Sequence, residues 1–87
     1  MKPKPVKQKP IIQTHIVAFF NMFHVGDMLR TEDVYKYVKR MLGHQMYPDT
    51  VLRYMRELRK DEVINYTIVS KSERIIKIIP LGEPHSL

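Results

Sequence analysis

The sequence predicts a small α+β domain built from three helices, a short strand between the first two, and a closing β-hairpin. Three observations carry that prediction. Apolar residues recur at three- and four-residue steps from Ile12 to Leu58, the period switches to two beyond Glu62, and Gly26, Gly43 and Pro48 punctuate the helical part. With 87 residues and no cysteine, the chain has room for one modest hydrophobic core and no disulfide framework to support it.

Residues 1–10 read as a flexible basic, proline-rich arm. Lys2, Lys4, Lys7 and Lys9 alternate with Pro3, Pro5 and Pro10, a composition that buries no face and favours extended backbone. The domain proper is expected over 11–80. Ile12, Ile16, Phe19, Phe20 and Phe23 mark an amphipathic first helix ending near His24, with Gly26 just beyond. Met28-Leu29-Arg30 leaves space for a bridge-length strand only. Thr31 reads as an N-cap, followed by Glu32 and Asp33 where the helix dipole favours negative charge. The second helix then runs from Glu32 to about Leu42, with Val34, Tyr37, Val38, Met41 and Leu42 on one stripe and Gly43 as a left-handed C-cap.

A turn of His44, Gln45, Met46 and Tyr47 leads to Pro48, which suits the first position of a third helix because its missing N–H has no partner there. Val51, Met55 and Leu58 form the inner face of this helix. Asp49, Arg53, Arg56, Glu57 and Lys60 fall opposite. Ile64, Tyr66 and Ile68 then alternate with Asn65 and Thr67, and a second β-rich run from Arg74 to Ile79 follows the polar tip Ser70-Lys71-Ser72-Glu73. Residues 81–87 have no periodicity and read as a disordered tail.

Helix, brief strand, helix, tight turn, helix, hairpin is the element order of a winged helix-turn-helix domain. The stretch PDTVLRYMRELRKDEVINY, from Pro48 to Tyr66, resembles that superfamily. Its members show a Thr-Val near the start of the recognition helix, a basic residue two positions on, apolar anchors, and an apolar dipeptide opening the wing. Thr50, Val51, Arg53, Met55, Leu58, Val63 and Ile64 take those places here. Family members commonly place a glycine just before the wing's apolar pair, where this chain has Glu62, so Asp61 or Glu62 must close the helix less comfortably. The resemblance covers about residues 12 to 79 and implies a DNA-binding architecture.

The chemistry of that face agrees with the implication. A B-DNA major groove accepts one α-helix, and a guanidinium pairs bidentately with guanine O6 and N7, each such contact giving roughly 1–3 kcal/mol of discrimination. Arg53 and Arg56 are the best placed for it. Thr50 and Tyr54 sit nearer the helix start and flank, while Arg59 and Lys60 lie late on the helix and meet backbone phosphate. Lys71 at the hairpin tip and Arg74 on the return strand project toward an adjacent groove or phosphate row. A solvated basic surface, with edge-strand lysine serving only to block aggregation, is the plainer reading of the same residues.

The net charge of +6 points to an anionic partner, double-stranded DNA first, but its distribution matters more than its size. Four lysines sit in the arm, whereas Pro48 to Ile79 carries seven basic against five acidic residues. The arm is therefore expected to supply most of the salt-sensitive attraction. Neither a metal site nor another cofactor is expected, because His15, His24, His44 and His85 show no ligand spacing. Catalysis is not expected either, since Ser70, Ser72 and Ser86 have no His-acid pairing and the three glycines form no phosphate loop. The longest apolar runs are far short of the ~20 residues a membrane span requires, and no apolar h-region follows the N-terminal lysines. The absence of cysteine suits a reducing, cytoplasmic setting.

The expected function is a small DNA-binding protein, acting as a transcriptional regulator or an accessory factor of a virus or mobile element. A winged helix used as a protein-interaction module in a larger assembly is the alternative from a different class, and Glu57 with Asp61-Glu62 favours it. Structured RNA is a third option. Leftover apolar residues at Met22, Met28 and Met46 make homodimerisation reasonable.

Overall fold

A computed structural model describes residues 8–43 and 46–84, the first three by backbone alone. The elements are α1 (Gln8–Phe20), β1 (Met28–Arg30), α2 (Thr31–Leu42), α3 (Pro48–Lys60), β2 (Tyr66–Ser70) and β3 (Ile75–Ile78). Residues 1–7 of the expected arm, the turn residues His44 and Gln45, and the last three residues of the tail lie outside the described residues.

The three strands form one antiparallel sheet in the order β1-β3-β2. Leu29 pairs with Ile76 on one side of β3, and Tyr66 pairs with Ile78 on the other. The β1–β3 ladder continues past the strands at both ends. Gly26 N–H donates to the Ile78 carbonyl at 2.8 Å, and Thr31 N–H donates to the Arg74 carbonyl at 3.0 Å. Thr31 is not the N-cap of α2 that the sequence suggested but its first residue, and the second bond gives its otherwise free N–H a partner in the sheet. Extended Arg30 occupies the cap position without a side-chain bond.

The first helix is displaced toward the N-terminus relative to its expected span. Beyond Phe20 the backbone tightens, with Met22 N–H bonded to Phe19 O and Phe23 N–H to Phe20 O, both at 3.1 Å. Three-residue loops of this kind end a regular α-helix even though the apolar spacing carries on to Phe23. The other two helices follow their sequence signals. Gly43 holds φ 75° at the C-cap of α2, and Pro48 opens α3 with Asp49 in its first turn.

The core lies between the three helices and one face of the sheet. Ile12, Ile16, Phe19 and Phe20 of α1 meet Val34 and Val38 of α2, Val51, Met55 and Leu58 of α3, and Leu29, Ile64, Tyr66, Ile76 and Ile78 of the sheet side. Phe19 packs on Tyr37 with ring centroids 5.0 Å apart, and Phe20 on Tyr66 at 6.0 Å, distances at which tilted rings attract. Met41 falls on the expected stripe of α2 yet is half-exposed. It sits in the last turn, and periodicity reports direction without guaranteeing a neighbour there.

Asn65 organises the far end of the molecule. Its side-chain amide donates to the carbonyls of Pro80 (2.7 Å) and Glu83 (2.8 Å), and its backbone carbonyl accepts from Ile79 N–H at 3.2 Å. Residues 80–83 thus form a turn fastened against the start of β2.

Candidate nucleic-acid interface

At 100° per residue, α3 divides its outward residues into three strips. Val51, Met55 and Leu58 are buried. Asp49, Arg53 and Lys60 point directly away from that core face and are exposed. Arg59, Leu52 and Arg56 occupy the flank toward the β2–β3 hairpin, and Thr50, Tyr54 and Glu57 the other flank.

On the hairpin flank, Arg56 and Arg59 of α3 and Lys71 and Arg74 of the hairpin line one groove of about 260 Å³, together with Leu52, Tyr66, Ile68 and residues of β3. Among the described residues no acidic side chain lines it. Four like charges around an open cleft repel one another, and the field they create draws anions into it. Arg59 is held at the base. Its guanidinium lies 4.4 Å from the Tyr66 ring centroid, and Nη1 donates to the Tyr66 carbonyl at 3.4 Å. Burial pushes the Tyr66 phenol above its usual pKa, opposed by the positive charges of Arg59 and Arg56.

Lys71 and Arg74 reach the groove through hairpin geometry. Residues 71–74 form the turn, and Arg74 holds φ 56° as the chain enters β3. A register shift between Ile68 and Ser70 leaves Val69 as an extra residue in β2. Such a bulge bends a strand and re-aims the residues beside it.

The eight residues expected to touch DNA are therefore not one cluster. Arg56, Arg59, Lys71 and Arg74 come together. Arg53 stacks instead on its neighbour Tyr54, 5.1 Å from the ring centroid, with Nη2 donating to the phenol oxygen at 3.5 Å. Thr50 is half-buried on the same flank as Tyr54, about 120° around the helix from Arg56. Lys60 joins Arg56 and Arg59 in a second cavity of about 390 Å³ at the C-terminal end of α3, where Glu62 and Glu83 also stand. That cavity is mixed in charge; the groove is not.

Leu52, Tyr66 and Ile68 were not among the residues that sequence reasoning assigned to this face. Leu52 carried a usable signal, being an apolar residue one step off the Val51, Met55, Leu58 stripe. Ile68 carried a misleading one. Alternation puts it on the same face as buried Tyr66, but it opens into the groove and is 45% exposed. No family model, curated protein or solved structure matches the chain.

Proposed function

We propose that the chain is a winged helix-turn-helix protein that binds double-stranded DNA, without a catalytic step, as a transcriptional regulator or accessory factor. In this reading α3 enters the major groove and presents Arg53 and Arg56 to base edges. The β2–β3 hairpin is the wing, and the sheet order β1-β3-β2 supports it. The observation that carries the reading is the acid-free groove between α3 and the hairpin, with Arg56, Arg59, Lys71 and Arg74 around it. A helix seated in a major groove brings the bordering sugar-phosphate strand alongside its flank, and here Arg59 of α3 with Lys71 and Arg74 of the hairpin line that side for it.

The test is fluorescence anisotropy on a labelled random duplex across a salt series. The parent binds at low salt and loses affinity steeply as salt rises. Changing both Arg53 and Arg56 to Ala abolishes binding while circular dichroism stays unchanged, because both side chains are exposed. No binding by the parent at low salt, or equal binding by the double variant, removes the DNA reading. A protein-interaction module is the second reading, and exposed Ile68 and Val69 on the hairpin favour it. Apolar contacts of that kind would persist at high salt, where DNA binding fades.

A further inference from the structure

The cavity at the C-terminal end of α3 carries both signs of charge. Arg56, Arg59 and Lys60 stand around it with Glu62 and Glu83, in a space of about 390 Å³ that falls within the range of small-molecule clefts. Among the described residues no ion pair joins these three cations to these two acids. Opposite charges that share a cavity without closing on one another leave both signs open to a ligand. Three short segments hold them there. Arg59 is fixed by Tyr66, its guanidinium 4.4 Å from the ring centroid, and Arg56 and Lys60 share its helix. Glu62 follows at the left-handed exit, with φ 61° and its N–H bonded to Arg59 O at 3.1 Å. Glu83 comes from the turn beyond β3, where its carbonyl accepts from the Asn65 amide at 2.8 Å and its N–H donates to the Pro80 carbonyl at 3.2 Å. A backbone fixed in this way lowers the ordering cost of binding.

Charge sets the class of ligand. The lining sums to +1, three cations against two acids. A phosphate monoester carries about −1.5 to −2 near pH 7, and one ammonium on the same molecule brings the whole close to the opposite of that sum. We infer that the cavity binds a small phosphorylated amine, its phosphate held by Arg56, Arg59 and Lys60 and its ammonium by Glu62 and Glu83. Guanidinium forks suit phosphate oxygens, and carboxylates accept from an ammonium. A phosphate without the amine leaves two carboxylates repelling it, and an amine without the phosphate meets a lining of net positive charge. The site goes beyond the DNA reading and needs no duplex. Arg56 and Arg59 line both this cavity and the groove beside the hairpin, so under that reading a seated ligand also draws them away from DNA.

The experiment titrates the full chain with glucosamine 6-phosphate, with glucose 6-phosphate, which lacks the ammonium, and with glucosamine, which lacks the phosphate. Amide resonances are followed by two-dimensional NMR near pH 7 at constant ionic strength. Glucosamine 6-phosphate moves the amide signals of Lys60, Glu62, Gly82 and Glu83 saturably and binds about two- to fivefold more tightly than glucose 6-phosphate, the size of an exposed ion pair. Glucosamine alone does not saturate. The double variant Glu62→Gln, Glu83→Gln keeps the fold, since both side chains are exposed, and binds the two sugar phosphates equally. The assignment is overturned by equal binding of the two sugar phosphates to the parent, by an advantage of the amine that survives the double variant, or by shifts that do not saturate or centre away from the cavity. No duplex is present in the titration, so its failure and that of the DNA reading are separate results.

Discussion

Glu62 holds φ 61° at the point where α3 gives way to the hairpin, a left-handed conformation that costs a side-chain-bearing residue about 1 kcal/mol or more relative to glycine. The helix end dictates this conformation. Asp61 N–H closes on Glu57 O at 2.9 Å, Glu62 N–H on Arg59 O at 3.1 Å, and Val63 N–H on Leu58 O at 3.0 Å. A chain closing all three bonds must reverse at Glu62, one of the two positions where the sequence pattern anticipated strain. Glu62→Gly is expected to raise stability by about 0.5–1 kcal/mol, since relief of strain is partly offset by greater freedom of the unfolded chain. Thermal unfolding checks it, with a rise of about 3–5 °C expected for a domain of this size. Arg74, also at positive φ, is less suited to the same exchange because its guanidinium lines the groove.

At the scale of elements, the helices and the hairpin were legible for different reasons. Gly43 and Pro48 carry local chemistry that no tertiary contact overrides, and both stand where that chemistry requires. The end of α1 and the start of α2 differ from their expected positions because spacing alone shows neither the backbone tightening past Phe20 nor the bond from Thr31 N–H to the sheet. The exit from the sheet depends on one side chain. Asn65 fastens the carbonyls of Pro80 and Glu83 from a position only 7% exposed, so Asn65→Ala removes two partly buried bonds at once. The expected loss is about 2 kcal/mol. Urea denaturation tests it through a lowered midpoint with an unchanged slope; an unaltered midpoint would show that the turn adds nothing to global stability.

Across the whole molecule, charge and shape separate into two roles. Between Pro48 and Ile79 the seven basic residues barely exceed the five acidic ones, so under the DNA reading their attraction for a polyanion depends on the groove gathering four cations with no acidic residue in its lining. The lysines near the N-terminus need no fold to act. Under the DNA reading, removing residues 1–7 takes away Lys2, Lys4 and Lys7, and the slope of log affinity against log salt should shrink by up to about 2.7, or 0.9 per phosphate released. Preference among sequences should hardly change. A truncated chain with the parent's salt slope would show that those lysines stay clear of the duplex.

The sequence by itself determined the number, type and order of the elements and most of the inner faces of the helices, because periodicity, proline, glycine and dipole chemistry all act within a few residues; it left the strain at the end of α3 between Asp61 and Glu62, and the backbone puts it at Glu62. Only the tertiary structure decided which cations share a surface. Arg56 and Arg59 meet Lys71 and Arg74 because antiparallel pairing of β3 with both β1 and β2 folds the hairpin back beside α3. Arg53, three residues from Arg56 and identical in kind, turns to Tyr54. Residue type and spacing place a charge on a helix, but a groove needs a second wall, and that wall comes from residues far along the chain.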